Sequence, residues 1–221
     1  MIKIKSQILL EGRYDSLTRK VTGDIMKFLS ETQGELGIDY IVLPEYDEKI
    51  KYESGLGFNF NVHLMINRVE YLEIKGKKQD FFVNTFIDDE DQITMEITIS
   101  EEFEPYCYQR LFYKINEDIR HEIEHYTQKI FSDKSQSLQN TAEYETTFEH
   151  HMDPAEIEAL THGYYRRAKI EKLPFDSIVK RDLGSEVQMG NLTKRESDVI
   201  YQNIVSFAKK KLPKAIYSKT I

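Results

Sequence analysis

The sequence predicts an α+β fold in which an N-terminal helix and an antiparallel sheet precede one long helix and a second helix. Three observations carry this. Apolar residues recur at helical spacing near the start, alternate strictly between Phe58 and Ile99, and return to helical spacing after Pro105. Helices therefore flank a central β block.

Ser16 can cap the first helix, which runs to about Glu31 with Val21, Ile25, Met26 and Leu29 on one face; Gly34 and Gly37 then end it. Before it, Met1 to Lys5 alternates in the manner of a strand. Phe58, Phe60, Val62, Leu64 and Ile66 share one face of a strand, with Asn59, Asn61, His63 and Asn67 opposite. Three further strands are expected, Glu70 to Lys75, Phe81 to Ile87 and Ile93 to Ile99. Gly76-Lys77-Lys78 and Asp88 to Asp91 serve as their hairpin connections. Leu111, Ile115, Ile119, Ile123 and Ile130 form the apolar stripe of a long helix ending near Phe131. Ser132 to Ser137 reads as a polar linker, and the stretch to His151 as irregular or short helix. Asp153-Pro154-Ala155-Glu156 opens the next helix, and Thr193 with Glu196 opens a last one that runs to about Leu212. The expected organisation is a core over residues 1–172 with a helical extension over 173–221 packed on it.

At 221 residues the chain is long enough to bury a sizeable core, and its 40% hydrophobic and 31% charged residues are ordinary for a globular protein. The net charge of -8 argues against nucleic acid or anionic membrane as a partner, since both require clustered positive charge. Two basic clusters, Arg166 to Lys169 and Lys209 to Lys211, fall at helix C-termini, where cations offset the helix dipole. Cys107 is the only cysteine, which excludes an internal disulfide and a cysteine-based zinc cluster; a small buried hydrophobe is its simplest role. No apolar run has the length of a signal or membrane-spanning segment, so a cytoplasmic location is expected.

Within the long helix, His121-Glu122-Ile123-Glu124-His125 matches HExxH. Two histidines four residues apart point the same way and can share one Zn2+ ion. Glu122 lies about 100° around the helix from His121, placed to take a proton from a water activated by the metal rather than to bind the metal. An accidental match on a solvated helix face arises in roughly two chains in a hundred. Here the histidines fall about 120° or more from the Ile119 and Ile123 stripe, which leaves their face to line a cleft.

A catalytic zinc takes three protein ligands, so one more is expected downstream. The metzincin extension is missing, with Gln128 and Phe131 where it needs Gly and His. In Asp153-Pro154-Ala155-Glu156-Ile157-Glu158-Ala159, Asp153 is a natural N-cap and Glu156 stands at the reciprocal capping-box position. Glu158 is the expected third ligand, with Glu156 as the alternative. HExxH followed by a helix carrying Glu-x-Glu-Ala resembles the gluzincins, and among them the compact ImmA/IrrE-like metallopeptidases, over roughly residues 93–170. Leu160 stands where the ImmA/IrrE pattern usually has Asn. The resemblance implies a zincin-like fold, His121, His125 and Glu158 as zinc ligands, and Glu122 as catalytic base. It also implies that the strand before the active-site helix, Ile93 to Ile99, pairs with an extended peptide substrate. The short acidic chain is similar in style to metallopeptidase-like proteins of tailed bacteriophages, which would place it with the virion.

Asp118 and His162, each one helical turn from an expected ligand, are candidates to orient those ligands from behind. His150, His151, Tyr144, Tyr164 and Tyr165 are candidates to donate to the oxyanion. His63 alternates with apolar residues and reads as a wet-face side chain. Peptide deformylases also use HExxH, but with an upstream cysteine in a Gly-rich setting that Cys107 lacks. The expected function is zinc-dependent hydrolysis of peptide bonds in a peptide or protein substrate. The alternative is a structural or binding protein, such as a virion or assembly component, that keeps the scaffold and cleaves nothing.

Overall fold

The computed structural model describes residues 14–31, 37–49, 57–101, 103–131 and 144–218. The expected strand at Met1 to Lys5, Gly34 and the linker from Ser132 lie outside these residues. The fold is α+β. The chain forms two compact units, one of Ser16–Glu122 and one of Met1–Asp15 with Ile123–Ile221.

In the unit Ser16–Glu122, helix α1 (Asp15–Glu31) buries Leu17, Val21, Ile25 and Leu29, the face its spacing predicts. A four-stranded sheet follows, ordered β1 (Gly37–Val42), β4 (Val62–Val69), β8 (Ile93–Ser100) and β7 (Phe81–Ile87). Its pairing corrects the antiparallel expectation, because β4 and β8 run parallel in the register Val62↔Ile93 to Val69↔Ser100. The physical reason is a local turn. Between β4 and β7 the chain makes a small ribbon, β5 (Glu73–Ile74) with β6 (Lys77–Lys78), whose turn residues Lys75 and Gly76 both have positive φ. β7 then forms an edge, and the hairpin at Asp88 to Gln92 returns β8 into the slot beside β4. Asp88 fixes that hairpin: its Oδ1 accepts from the backbone N–H of Glu90 and Gln92, and its Oδ2 from Thr94 Oγ1. Val62, Leu64, Ile66, Ile93, Met95 and Ile97 fill the buried face of the sheet.

The run expected as one strand from Phe58 is broken at Asn61. β3 (Gly57–Phe60) pairs with β2 (Tyr46–Lys49), and β4 begins after the break. At the break the Asn61 N–H donates to the Gln92 side chain, and the Asn61 carbonyl accepts from Ile93 N. Helix α2 (Cys107–Phe131) follows, with Cys107, Leu111, Ile115, Ile119 and Ile123 all fully buried.

The other unit contains α3 (Thr147–Met152), α4 (Pro154–Glu171), α5 (Phe175–Met189) and α6 (Lys194–Lys211). Its core includes Tyr164, Phe175, Ile178, Leu183, Ile200 and Ile204. Helix α5 was not separately expected from periodicity; it ends on Gly190 at φ 75, with the Gly190 N–H on Glu186 and Val187 carbonyls. Helix α6 has the expected capping box between Thr193 and Glu196. Lys209 to Lys211 fill the last turn of α6, where dipole compensation favours them, whereas of the Arg166 to Lys169 cluster only Lys169 lies in the last turn of α4. In α4 they also make specific pairs: Arg166 and Lys169 on Asp15, and Arg167 on Glu171 and Asp182. Among the described residues, no helix is long and apolar enough to cross a membrane.

Candidate metal centre

His121, Glu122 and His125 stand on adjacent turns of α2, with one candidate ligand atom from each lying within 4.8 Å of the others. The face they occupy is sheltered rather than solvated. The side chains of His121, Glu122 and His125 are 15%, 7% and 19% exposed. Two imidazoles one turn apart on a helix suit zinc, which takes nitrogen and oxygen donors without a strong geometric demand of its own.

His125 is oriented by a residue that motif reading had used only to dismiss the metzincin pattern. Gln128 Oε1 lies 2.9 Å from His125 Nδ1, and Gln128 Nε2 donates to the Ala155 carbonyl at 2.9 Å. A carbonyl only accepts, so the amide nitrogen must face Ala155 and the amide oxygen must face the ring. Nδ1 therefore carries the hydrogen, and in the neutral ring Nε2 keeps its lone pair. This is the tautomer a metal ligand through Nε2 requires. Spacing alone offered a signal, since residues three apart on a helix are neighbours.

The second helix departs from expectation. Asp153 caps α4, accepting from Ala155 N at 2.7 Å, and Pro154 occupies the first turn. Glu156 does not complete a capping box. Asp153 is also the C-cap of α3, and its backbone N–H is already given to the His150 carbonyl at 3.1 Å. With that donor in use, the Glu156 carboxylate reaches elsewhere. Its Oε1 lies 3.3 Å from His125 Nε2 and 3.6 Å from His150 Nε2. The capping-box geometry occurs one helix earlier, between Thr146 and Glu149.

Glu158 forms a different group, with Glu124 and His162, in which the candidate ligand atoms again lie within 4.8 Å. His162 Nε2 is 3.9 Å from Glu124 Oε1. The helix accounts for the separation. Glu158 and His162, four apart, share a face of α4, whereas Glu156 is turned about 200° from Glu158. Asp118 accepts from Lys114 Nζ at 2.8 Å along α2.

The oxyanion candidates separate by what their polar atoms touch. Tyr164 is buried in the helical core with its hydroxyl donating to Asp182, and Tyr165 is also buried there. Tyr144 donates to Asp153 at 3.0 Å; burial first, then that hydrogen bond and the Asp153 and Glu156 charges push its hydroxyl up to about 12. His151 Nδ1 is bonded to the Thr147 carbonyl at 2.7 Å. His150 is the candidate whose Nε2 faces the Glu156 carboxylate, and its side chain is 44% exposed. Burial holds its pKa below the usual value, helped by the neighbouring His151 and His125 and opposed by Glu156 and Asp153. His63, on β4, is 3.7 Å from Asp88 Oδ2.

The expectation for the substrate strand is overturned. β8 is hydrogen-bonded to β4 on one side and β7 on the other, so it has no edge to offer an extended peptide. Comparison with family models, curated proteins and solved structures gave no match.

Proposed function

We propose that this chain is a zinc-dependent metallopeptidase, gluzincin-like in its site, with His121 and His125 as zinc ligands and Glu122 as general base. The carrying observation is the sheltered His121-Glu122-His125 constellation on one continuous helix. Zinc bound there supplies a Lewis acid that polarises a peptide carbonyl and lowers the pKa of water toward neutrality.

The remaining chemistry belongs to the chain. Gln128 holds the His125 ring so that Nε2 faces outward as a donor pair. Glu122, turned from the ligand direction, accepts a proton from the attacking water and returns it to the departing amine. His150, with its Nε2 toward the same carboxylate as His125, is the group best placed to donate a hydrogen bond to the developing oxyanion. The sequence motif nominates Glu158 as the third ligand, with Asp118 and His162 as supports.

The test pairs metal analysis of the purified protein with Glu122→Gln. Stoichiometric zinc retained in the variant, with peptide or self-cleavage lost, supports the enzyme. A wild-type protein without zinc sinks it. One observation favours the second reading, a metal-holding structural or binding protein: the strand expected to pair with substrate is internal to its sheet. That reading predicts full zinc occupancy with no cleavage of any unfolded protein substrate by the wild type.

A further inference from the structure

We infer that Glu124, Glu158 and His162 form a second metal site, which takes a divalent first-row transition ion and ties the end of α2 to α4. The inference does not depend on the HExxH metal. It gives Glu158 and His162 a role other than the one the motif nominates for them.

All three residues belong to the unit that holds Ile123–Ile221, and each offers one ligand atom within 4.8 Å of the other two. Glu158 and His162 are one turn apart on α4, the spacing that lets two side chains meet one ion, and Glu124 approaches from α2. Separate contacts a turn away fix that approach. Gln128 Nε2 donates to the Ala155 carbonyl at 2.9 Å, and His125 Nε2 lies 3.3 Å from Glu156 Oε1. The two helices therefore run past each other in opposite directions, with Gln128 beside Ala155 and Glu124 beside His162.

His162 Nε2 and Glu124 Oε1 are 3.9 Å apart. That is beyond the roughly 2.7–2.9 Å of a charge-assisted hydrogen bond. It is within the span of two ligands on one ion, which for bonds of about 2.0–2.2 Å runs from about 3 Å for neighbouring ligands to about 4.4 Å for opposite ones. The group is sheltered, with the His162 and Glu124 side chains 12% and 8% exposed. Carboxylates brought this close in a sheltered place repel one another. A dication matches the charge of both, where a protonated imidazole matches one. The nitrogen donor then selects among dications, because Ca2+ and Mg2+ prefer oxygen throughout whereas Fe2+ and Zn2+ accept imidazole beside carboxylate. An ion held there also steadies the turn of α2 that carries His125.

The test counts and ranks bound Zn2+ in the full-length protein by competition with a chromophoric chelator, with thermal unfolding in excess chelator to confirm that each variant folds. The double variant His121→Ala/His125→Ala isolates the second site. It is expected to keep one zinc per chain and a Tm that rises with zinc. Adding Glu124→Gln to it should weaken that zinc by more than the roughly 100-fold upper bound for loss of an outer-shell partner and abolish the rise in Tm. His162→Gln, on the other helix, carries the same expectation and serves alone if Glu124→Gln does not fold. A double variant that binds no zinc overturns the inference, as does zinc that survives the added substitution; both are the results of an ordinary imidazolium–carboxylate cluster. Glu158→Gln in the otherwise native chain should remove only the zinc that the double variant keeps. If it removes the zinc that depends on His121 and His125, the inference fails and the motif's nomination stands. A wild type whose single zinc is lost with Glu124→Gln but unmoved in the double variant leaves the inference standing while the HExxH reading fails.

Discussion

Gln128→Leu is the perturbation that most directly probes how the site is held. Leucine fills a similar volume but removes both ends of the relay, the oxygen facing His125 Nδ1 and the nitrogen donating to the Ala155 carbonyl. Loss of such an outer-shell partner weakens metal binding by about 10–100-fold, or about 1.4–2.7 kcal/mol. The metal-free fold loses two modest hydrogen bonds, each about 0.5–1.5 kcal/mol. Gln128→Glu separates the two effects. It keeps an acceptor for Nδ1–H but sets a carboxylate against the Ala155 carbonyl, so stability falls while zinc affinity stays near that of the wild type. Chelator competition reads the first quantity and thermal unfolding without metal the second. Long-range 1H–15N correlation of the His125 ring in the metal-free protein reads the tautomer. An Nε2–H tautomer, or wild-type zinc affinity in Gln128→Leu, would refute the reasoning.

Three further outcomes are expected. Glu122→Gln should retain stoichiometric zinc and lower any peptidase rate by about 10²–10⁴-fold; loss of the metal itself in this variant would show Glu122 to be a ligand. Thr193→Ala removes the side chain that accepts from Glu196 N and should cost about 1 kcal/mol, lowering Tm by about 2–4 °C in calorimetry, with zinc affinity untouched. Burial raises the Glu171 carboxyl, but hydrogen bonds and charge from Arg181 and Arg167 outweigh it, and the net pKa lies below the ordinary 4.5. A depressed folded-state value contributes stability above the unfolded pKa and loses it as pH falls through the folded one. Glu171→Gln should therefore lower stability at neutral pH and flatten its decline below pH 4.5; an acid limb as steep as the wild type's would exclude this group as its source.

The parts of the molecule written in local patterns were readable in advance. The stripe from Leu111 to Ile123 places α2, and Thr193 with Glu196 places the start of α6, because a helix face and a capping box need only residues within a few positions of one another. Long-range pairing left no such mark. Alternation in Ile93 to Ile99 distinguishes a buried from a wet face but says nothing of how many neighbours the strand has, so its central position emerged only from the β4 and β7 registers. The role of Glu156 was hidden for a related reason. The capping rule looks forward three residues from Asp153, whereas the competing acceptor, His150 carbonyl, comes from a six-residue helix behind it whose periodicity is too short to register. Gln128 was in plain view, yet its partner Ala155 is 27 residues away.

That shared use of Asp153 sets the length tolerance of this stretch of chain. One residue ends α3 and begins α4, so nothing between the two helices can absorb an insertion or deletion. His150 and Glu156 are coupled through this joint like two marks on a stiff elbow. A single inserted residue would detach one cap or turn Glu156 by about 100° relative to His150. Variants of this chain that keep every histidine and glutamate but differ in length at this joint should lose the His150–Glu156 approach. Conversely, natural length variation should collect elsewhere along the sequence.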